Sequence, residues 1–145
     1  MPLTRTAARD EILTLVKGVA DGLTAFVAIY DDTRQDVPKA ESSPLLSWAR
    51  VLVRHVTGTQ AALADFSGVR RFTKTGLVTI QLFTPTGDGL TLSDTLTEAF
   101  EAAVRTKSTP NGVWFRNVRS IEIGNDGPWF QTNILAEFEY DQISS

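Results

Sequence analysis

The sequence predicts a single α+β domain, a mixed or mainly antiparallel sheet with two main helices packed on one face. Three observations predict it. Apolar residues recur at spacings of three and four in two separate stretches, one near the start and one around residues 91–104. Between and after them lie stretches that alternate apolar and polar residues, as half-buried strands do. The order is helix, strands, helix, hairpin, which places helices on one side of a sheet rather than between parallel strands. A chain of 145 residues fits one domain and buries a sizeable core.

The first helix carries Ala8, Ile12, Leu15, Val16, Val19 and Leu23 on one face. Thr4 or Thr6 caps its start, Asp10 and Glu11 favour the positive end of its dipole, and Gly22 stops it. Residues 24–30 favour a strand. Residues 31–44 are polar, contain Pro38 and Pro44, and read as a long loop. In residues 48–56, Ala49, Val51 and Val53 share one face, while Trp48, Arg50, Leu52 and Arg54 share the other. Residues 57–65 read as a second loop. Residues 68–84 form the longest strand, with a bulge or break expected at Gly76. In its second half Val78, Ile80 and Leu82 oppose Leu77, Thr79, Gln81 and Phe83.

Residues 85–89 turn into the second helix. Thr91 and Asp94 have capping-box spacing. Leu92, Leu96, Ala99, Phe100, Ala103 and Val104 make the apolar stripe, and Pro110 excludes further helix. Two strands follow, 113–123 and 129–140, joined by the turn residues Asn125, Asp126, Gly127 and Pro128. Phe130, Ile134, Ala136, Phe138 and Tyr140 form one face of the last strand. Gln131, Asn133, Glu137 and Glu139, with Trp129 and Leu135, form the other.

Composition narrows the chemistry. The chain is 42% hydrophobic and 21% charged, which argues against disorder. The net charge of −3 gives no general attraction to nucleic acid or an anionic membrane. No apolar run approaches the roughly 20 residues of a membrane span, and the N-terminus lacks a signal peptide's apolar stretch, so a soluble protein is expected. With no cysteine, disulfides, zinc ribbons, iron–sulfur sites and thiol nucleophiles are excluded.

Candidate reactive residues do not assemble into a motif. His55 is the single histidine and reads as structural. Asp31, Asp32 and Asp36 lack the central glycine and terminal glutamate of a calcium loop. Residues 86–94 lead into a helix but lack the Walker lysine and GxGxxG spacing. No catalytic residue, metal or cofactor is therefore expected. Arginine near tryptophan on an outer strand face is instead the makeup of a protein interface. The Trp48, Arg50 and Arg54 face and the acidic loop bearing Asp31, Asp32, Asp36 and Glu41 are two unlike surfaces suited to subunit contact.

Three runs carry a family resemblance: GVRRFTKTGLVTIQLFTPTGDGL from Gly68, the helix LSDTLTEAFE, and GVWFRNVRSIEIGNDGPWFQTNILAEFEYD from Gly112. Together they resemble the phage tail-terminator-like family of siphophage-type virions. The best signals lie in residues 75–89 and 113–140 and are patterns of packing and turns. The resemblance implies a non-enzymatic virion subunit that forms a ring, commonly a hexamer. Such a ring caps the completed tail tube at its head-proximal end and presents a docking surface for the head connector. Implied partners are further copies of the chain, the tail tube protein and a head-completion or stopper connector, with assembly in the host cytoplasm. DNA would pass through the lumen without sequence-specific binding. Glu137 and Glu139 are then candidates for a neutral or acidic inner wall, because basic walls would hold the phosphate backbone. A neighbouring head–tail connector or tail-completion protein is the alternative. A ligand-binding or enzymatic α+β domain is the remote one, requiring a cavity with convergent polar groups.

Overall fold

A computed structural model describes residues 4–23, 26–30, 47–60, 70–86, 90–105, 109 and 112–144. The elements run α1 (Arg5–Ala20), β1 (Phe26–Tyr30), β2 (Ser47–Gln60), β3 (Arg70–Pro85), α2 (Thr91–Arg105), β4 (Trp114–Asp126) and β5 (Trp129–Ser144). The strands form one sheet in the order β1-β2-β3-β5-β4. β1 lies parallel to β2, and every other pairing is antiparallel. The fold is the α+β class that the sequence predicts.

α1 begins at Thr4, whose hydroxyl accepts the Ala7 N–H at 3.1 Å. Thr6 lies inside the helix. Asp10 and Glu11 fall beyond the first turn, which holds no acid, so they do not meet the helix's positive end. Ala8, Ile12, Val16 and Ala20, spaced by four, are the buried line. The helix stops at Asp21 in a right-handed conformation, not at a left-handed Gly22. The Asp21 and Gly22 N–H groups close the last turn on the carbonyls of Lys17 and Val19.

α2 differs from expectation at its start. The Asp94 N–H bonds the Leu90 carbonyl at 2.9 Å, which makes Thr91 the first helical residue rather than the cap. The buried line is Ser93, Leu96, Thr97, Phe100, Ala103 and Val104, and Leu92 is 47% exposed. Ser93 is buried beside this apolar line, with its hydroxyl 3.3 Å from that of Thr132 on β5. A buried hydroxyl with a partner is tolerated where an orphan is not.

Both helices pack on the same side of the sheet. Their apolar lines meet Ala49, Val51 and Val53 of β2, Val78, Ile80 and Leu82 of β3, and Ile134, Phe138 and Tyr140 of β5. Phe130 is only half-buried and stands outside this core. β2 continues to Gln60, so residues 57–60, read as loop, are strand. Their polar character is overridden by pairing with residues 72–75 of the long β3. The bulge lies in β2 between His55 and Thr57, not at Gly76.

Gly76 is paired in mid-strand with His55 on one side and Phe138 on the other. A Cβ there would lie 2.3 Å from Phe138 Cζ and 2.2 Å from the Arg54 carbonyl oxygen. The glycine is needed because the Phe138 ring covers its backbone.

Two stability outcomes follow. Phe138 is fully buried, and Phe138→Ala is expected to cost about 3–5 kcal/mol in urea unfolding. Gly76→Ala, an overpacked site against backbone, is expected to cost about 1–3 kcal/mol. An unchanged midpoint in either variant contradicts the packing described.

Candidate functional site

Among the described residues, the side of the sheet away from the helices is covered only at one end. There Val27 and Ile29 of β1, Trp48, Phe83 and Trp129 form a second apolar cluster. Trp48 stacks on Phe83 at 4.1 Å and meets Trp129 edge-on at 6.0 Å. Trp48 is therefore on the face the alternation assigns, but it is only 5% exposed. Its ring is core within the chain rather than a free contact surface. Arg50 lies over that ring at 5.5 Å and reaches Gln81 at 3.4 Å. Arg54 is exposed further along the same strand. Asp31, Asp32, Asp36 and Glu41 lie outside the described residues, as do the side chains of Arg70 and Arg71.

The rest of this face is open. Strand registry aligns Arg50, Gln81, Asn133 and Ile121 in one row, then Leu52, Thr79, Leu135 and Arg119, then Arg54, Leu77, Glu137 and Arg116. Apolar and charged side chains therefore interleave across four strands. Trp114 is 46% exposed, with Arg116 over its ring at 5.9 Å, and Ile121 is 48% exposed. These β4 residues are further contact candidates, and only Ile121 among them carries no signal of it in the sequence. The signal available was the shared parity of Trp114 and Arg116.

Glu137 and Glu139 do not form an acidic wall of their own. Arg116 pairs with both, at 3.8 and 3.4 Å, and Arg119 pairs with Glu137 at 3.5 Å. The Asn117 side-chain amide donates to Glu137 at 2.8 Å. Asn117 reaches it from a left-handed bulge, φ 52°. Two carboxylates thus face two guanidinium groups, and their charge is balanced across the strand pair. Such half-exposed pairs are worth only about 0–1 kcal/mol each to stability.

β4 is an edge strand and is interrupted twice, between Arg116 and Arg119 and between Glu122 and Gly124. Bulges of this kind discourage another strand from adding to the edge. The side chains on the face, rather than the backbone of this edge, are therefore the candidate contact surface.

On the helix side, His55 bonds Tyr140, Nε2 to Oη, at 2.8 Å. Phe138 and Tyr140 both meet the imidazole edge-on. Burial first, then the charges of Arg5, Arg9 and Lys74, lower its pKa to about 4. Burial likewise raises that of Tyr140, against the pull of Arg5 and Arg9. His55 stands as a neutral structural residue. Among the described residues no group of three or more metal-ligating side chains occurs, and no helix is long and apolar enough to cross a membrane. Two open clefts of about 320 and 340 Å³ flank Tyr30 between α1 and β1. Their titratable lining is Asp10, Lys17, Asp21 and Tyr30.

No family model and no curated protein matches the chain. A solved structure whose title states no function is similar in fold, with a TM-score of 0.65 at 16% identity. The match covers 94% of this chain and 95% of that one. At this identity the likeness concerns the fold alone.

The His55 environment sets a pH dependence. The folded state holds the imidazole neutral down to about 4, whereas the unfolded chain takes up a proton near its ordinary 6.5. Stability contributed by the neutral ring is thus complete above the unfolded value and lost as pH falls toward the folded one. Allowing for solvent screening at a part-exposed ring, the loss is about 1–2 kcal/mol. Urea unfolding at about pH 7.5 and about pH 4.5 should show that much more acid destabilisation in the native chain than in His55→Gln. Equal acid sensitivity contradicts this environment.

Proposed function

We propose that the chain is a structural virion subunit, a tail terminator whose copies close into a ring, commonly a hexamer. The ring caps the completed tail tube at its head-proximal end, stops polymerisation and offers the docking surface for the head connector. The observation that carries this reading is the open sheet face. It is four strands wide beyond the aromatic cluster, untouched by either helix, and it interleaves leucine, isoleucine and tryptophan with arginine, glutamine and glutamate. Apolar anchors among arginines are the composition of protein interfaces.

The residues that carry the family resemblance support the same reading. They fall on β3, α2 and the β4–β5 hairpin, and these three strands build most of that face. A closed ring needs two different patches that meet on successive copies. Arg50 and Arg54 belong to one patch in this reading, and Trp114 and Ile121, at the opposite edge of the sheet, extend it. Partners are other copies of the chain, the tail tube protein and the head-completion connector, with DNA passing through the bore without sequence-specific contact. The role is not enzymatic and requires no cofactor.

Light scattering over a concentration series, with negative-stain imaging of the same samples and of tube-bound chain, tests the reading. Closed rings are expected, at least on tube ends. Arg50→Glu with Arg54→Glu is expected to abolish them while leaving the chain folded, at a stability cost of about 0.5–1 kcal/mol for the lost Arg50 contact with the Trp48 ring. A chain that stays monomeric both free and on tubes overturns the proposal. Rings that persist in the double variant remove Arg50 and Arg54 from the interface.

A further inference from the structure

Six of the described cations fall into two contrasting groups. Arg116, Arg119 and Arg105 all face carboxylates. Arg5, Arg9 and Lys74 make no ion pair among the described residues, yet the fold gathers them at one place. Arg5 and Arg9 are one turn apart on α1. Arg9 donates to the Val53 carbonyl at 3.1 Å, two residues before His55 on β2. Lys74 is the direct cross-strand neighbour of Tyr140, the residue that holds His55. Both His55 and Tyr140 feel the charges of Arg5 and Arg9.

The cluster also contains polar atoms without partners. Arg9 Nε and His55 Nδ1 are enclosed and have no hydrogen-bond partner. Enclosed polar groups in native proteins are nearly always satisfied, so each such orphan calls for a partner. Lys74 Nζ lies over the Phe72 ring at 5.9 Å, which gives the site an apolar flank. Three like charges held together without a counter-ion repel one another, and a bound carboxylate relieves that repulsion.

We propose that the Arg5, Arg9 and Lys74 cluster is a docking site for an acidic segment of a second copy of this chain, residues 31–41. The inference rests on the ring reading for the presence of a neighbouring copy. Charge complementarity selects the occupant. Asp31, Asp32, Asp36 and Glu41 place four carboxylates within that short stretch, against Arg34 and Lys39. Nucleic acid fits less well. Binding a phosphate backbone calls for a basic stripe along a face, and this is one compact patch on a chain of net charge −3. Arg50 is a weaker receiver for the acidic segment than this cluster, because Trp48 and Gln81 already engage it.

His55 is the single histidine, so its ring protons give one proton-resonance reporter inside the site. The acceptor is the full chain carrying D31N, D32N, D36N and E41Q, so that its own segment does not compete. A synthetic peptide of residues 30–44 is titrated in. A saturable shift of the His55 signal is expected, weakened at least about tenfold by Arg5→Glu with Lys74→Glu and by raised salt. Far-ultraviolet dichroism and a urea midpoint confirm that each variant folds. A peptide that leaves the His55 signal unmoved overturns the proposal, as does a DNA duplex that moves it where the peptide does not. If the dilute, monomeric native chain already shows the peptide-saturated signal, the segment docks on its own chain and the second-copy assignment is overturned. Rings that form in a chain whose acceptor ignores the peptide would refute this inference and leave the ring reading standing.

Discussion

The Phe138 ring lying over the bare backbone of Gly76 is the contact on which the rest of the structure depends. It joins the three central strands at one level, with His55, Gly76 and Phe138 aligned across β2, β3 and β5. Any larger residue at 76 collides with the ring and with the neighbouring strand's carbonyl. The imidazole of His55 then packs edge-on against Phe138, at 5.3 Å between centroids, and bonds Tyr140 two residues further along β5. Strand register is what decides which side chains face the helices, because a slip of one residue exchanges the two faces. Locking register here places Val53, Val78 and Ala136 inward and leaves Leu52, Leu77, Leu135 and Glu137 on the open side.

The same lock has an electrostatic consequence. It brings Lys74 beside Tyr140 and sets β2 under α1, where Arg9 reaches the Val53 carbonyl. One end of the helix side thereby gathers Arg5, Arg9 and Lys74, which make no ion pair among the described residues. On the opposite face Arg116 and Arg119 are set against Glu137 and Glu139, and Arg50 and Arg54 of β2 add further positive charge. One surface thus offers apolar packing interleaved with charge, and the other a compact cationic cluster. A subunit that must meet unlike patches of its neighbours is served by such a division, since apolar contact supplies affinity and charge supplies orientation.

Much of the fold was legible because local pattern and tertiary environment agree. Alternation identified the inward set Ala49, Val51, Val53, Val78, Ile80 and Leu82, all of which are buried. The turn at Gly127 and Pro128 was readable because Gly127 adopts a positive φ, 61°, which its lack of a Cβ permits. Polar strand continuations were not legible. Residues 57–60 lack strand character and are held by the length of β3 rather than by their own preference. The α2 stripe was legible at Leu96, Phe100, Ala103 and Val104 but not at Ser93 and Thr97, whose hydroxyls count as polar in any hydrophobic pattern. For the site, parity placed Trp48, Arg50 and Arg54 together correctly. It did not show that Phe83 and Trp129, from two other strands, bury Trp48. Nor did it show that Lys74, far along the chain from Arg5 and Arg9, joins them through the β2–β3–β5 register and the packing of α1 on β2.

The claim at the centre of this account is that the chain ends tube growth. Its most direct measurement is the length distribution of tail tubes assembled with and without the chain, imaged by electron microscopy with the chain located by a bound label. The account predicts tubes of defined length bearing the label at one end when the chain is present, and overlong tubes when it is absent. Tube lengths that do not respond to the chain, with no label at tube ends, would contradict it.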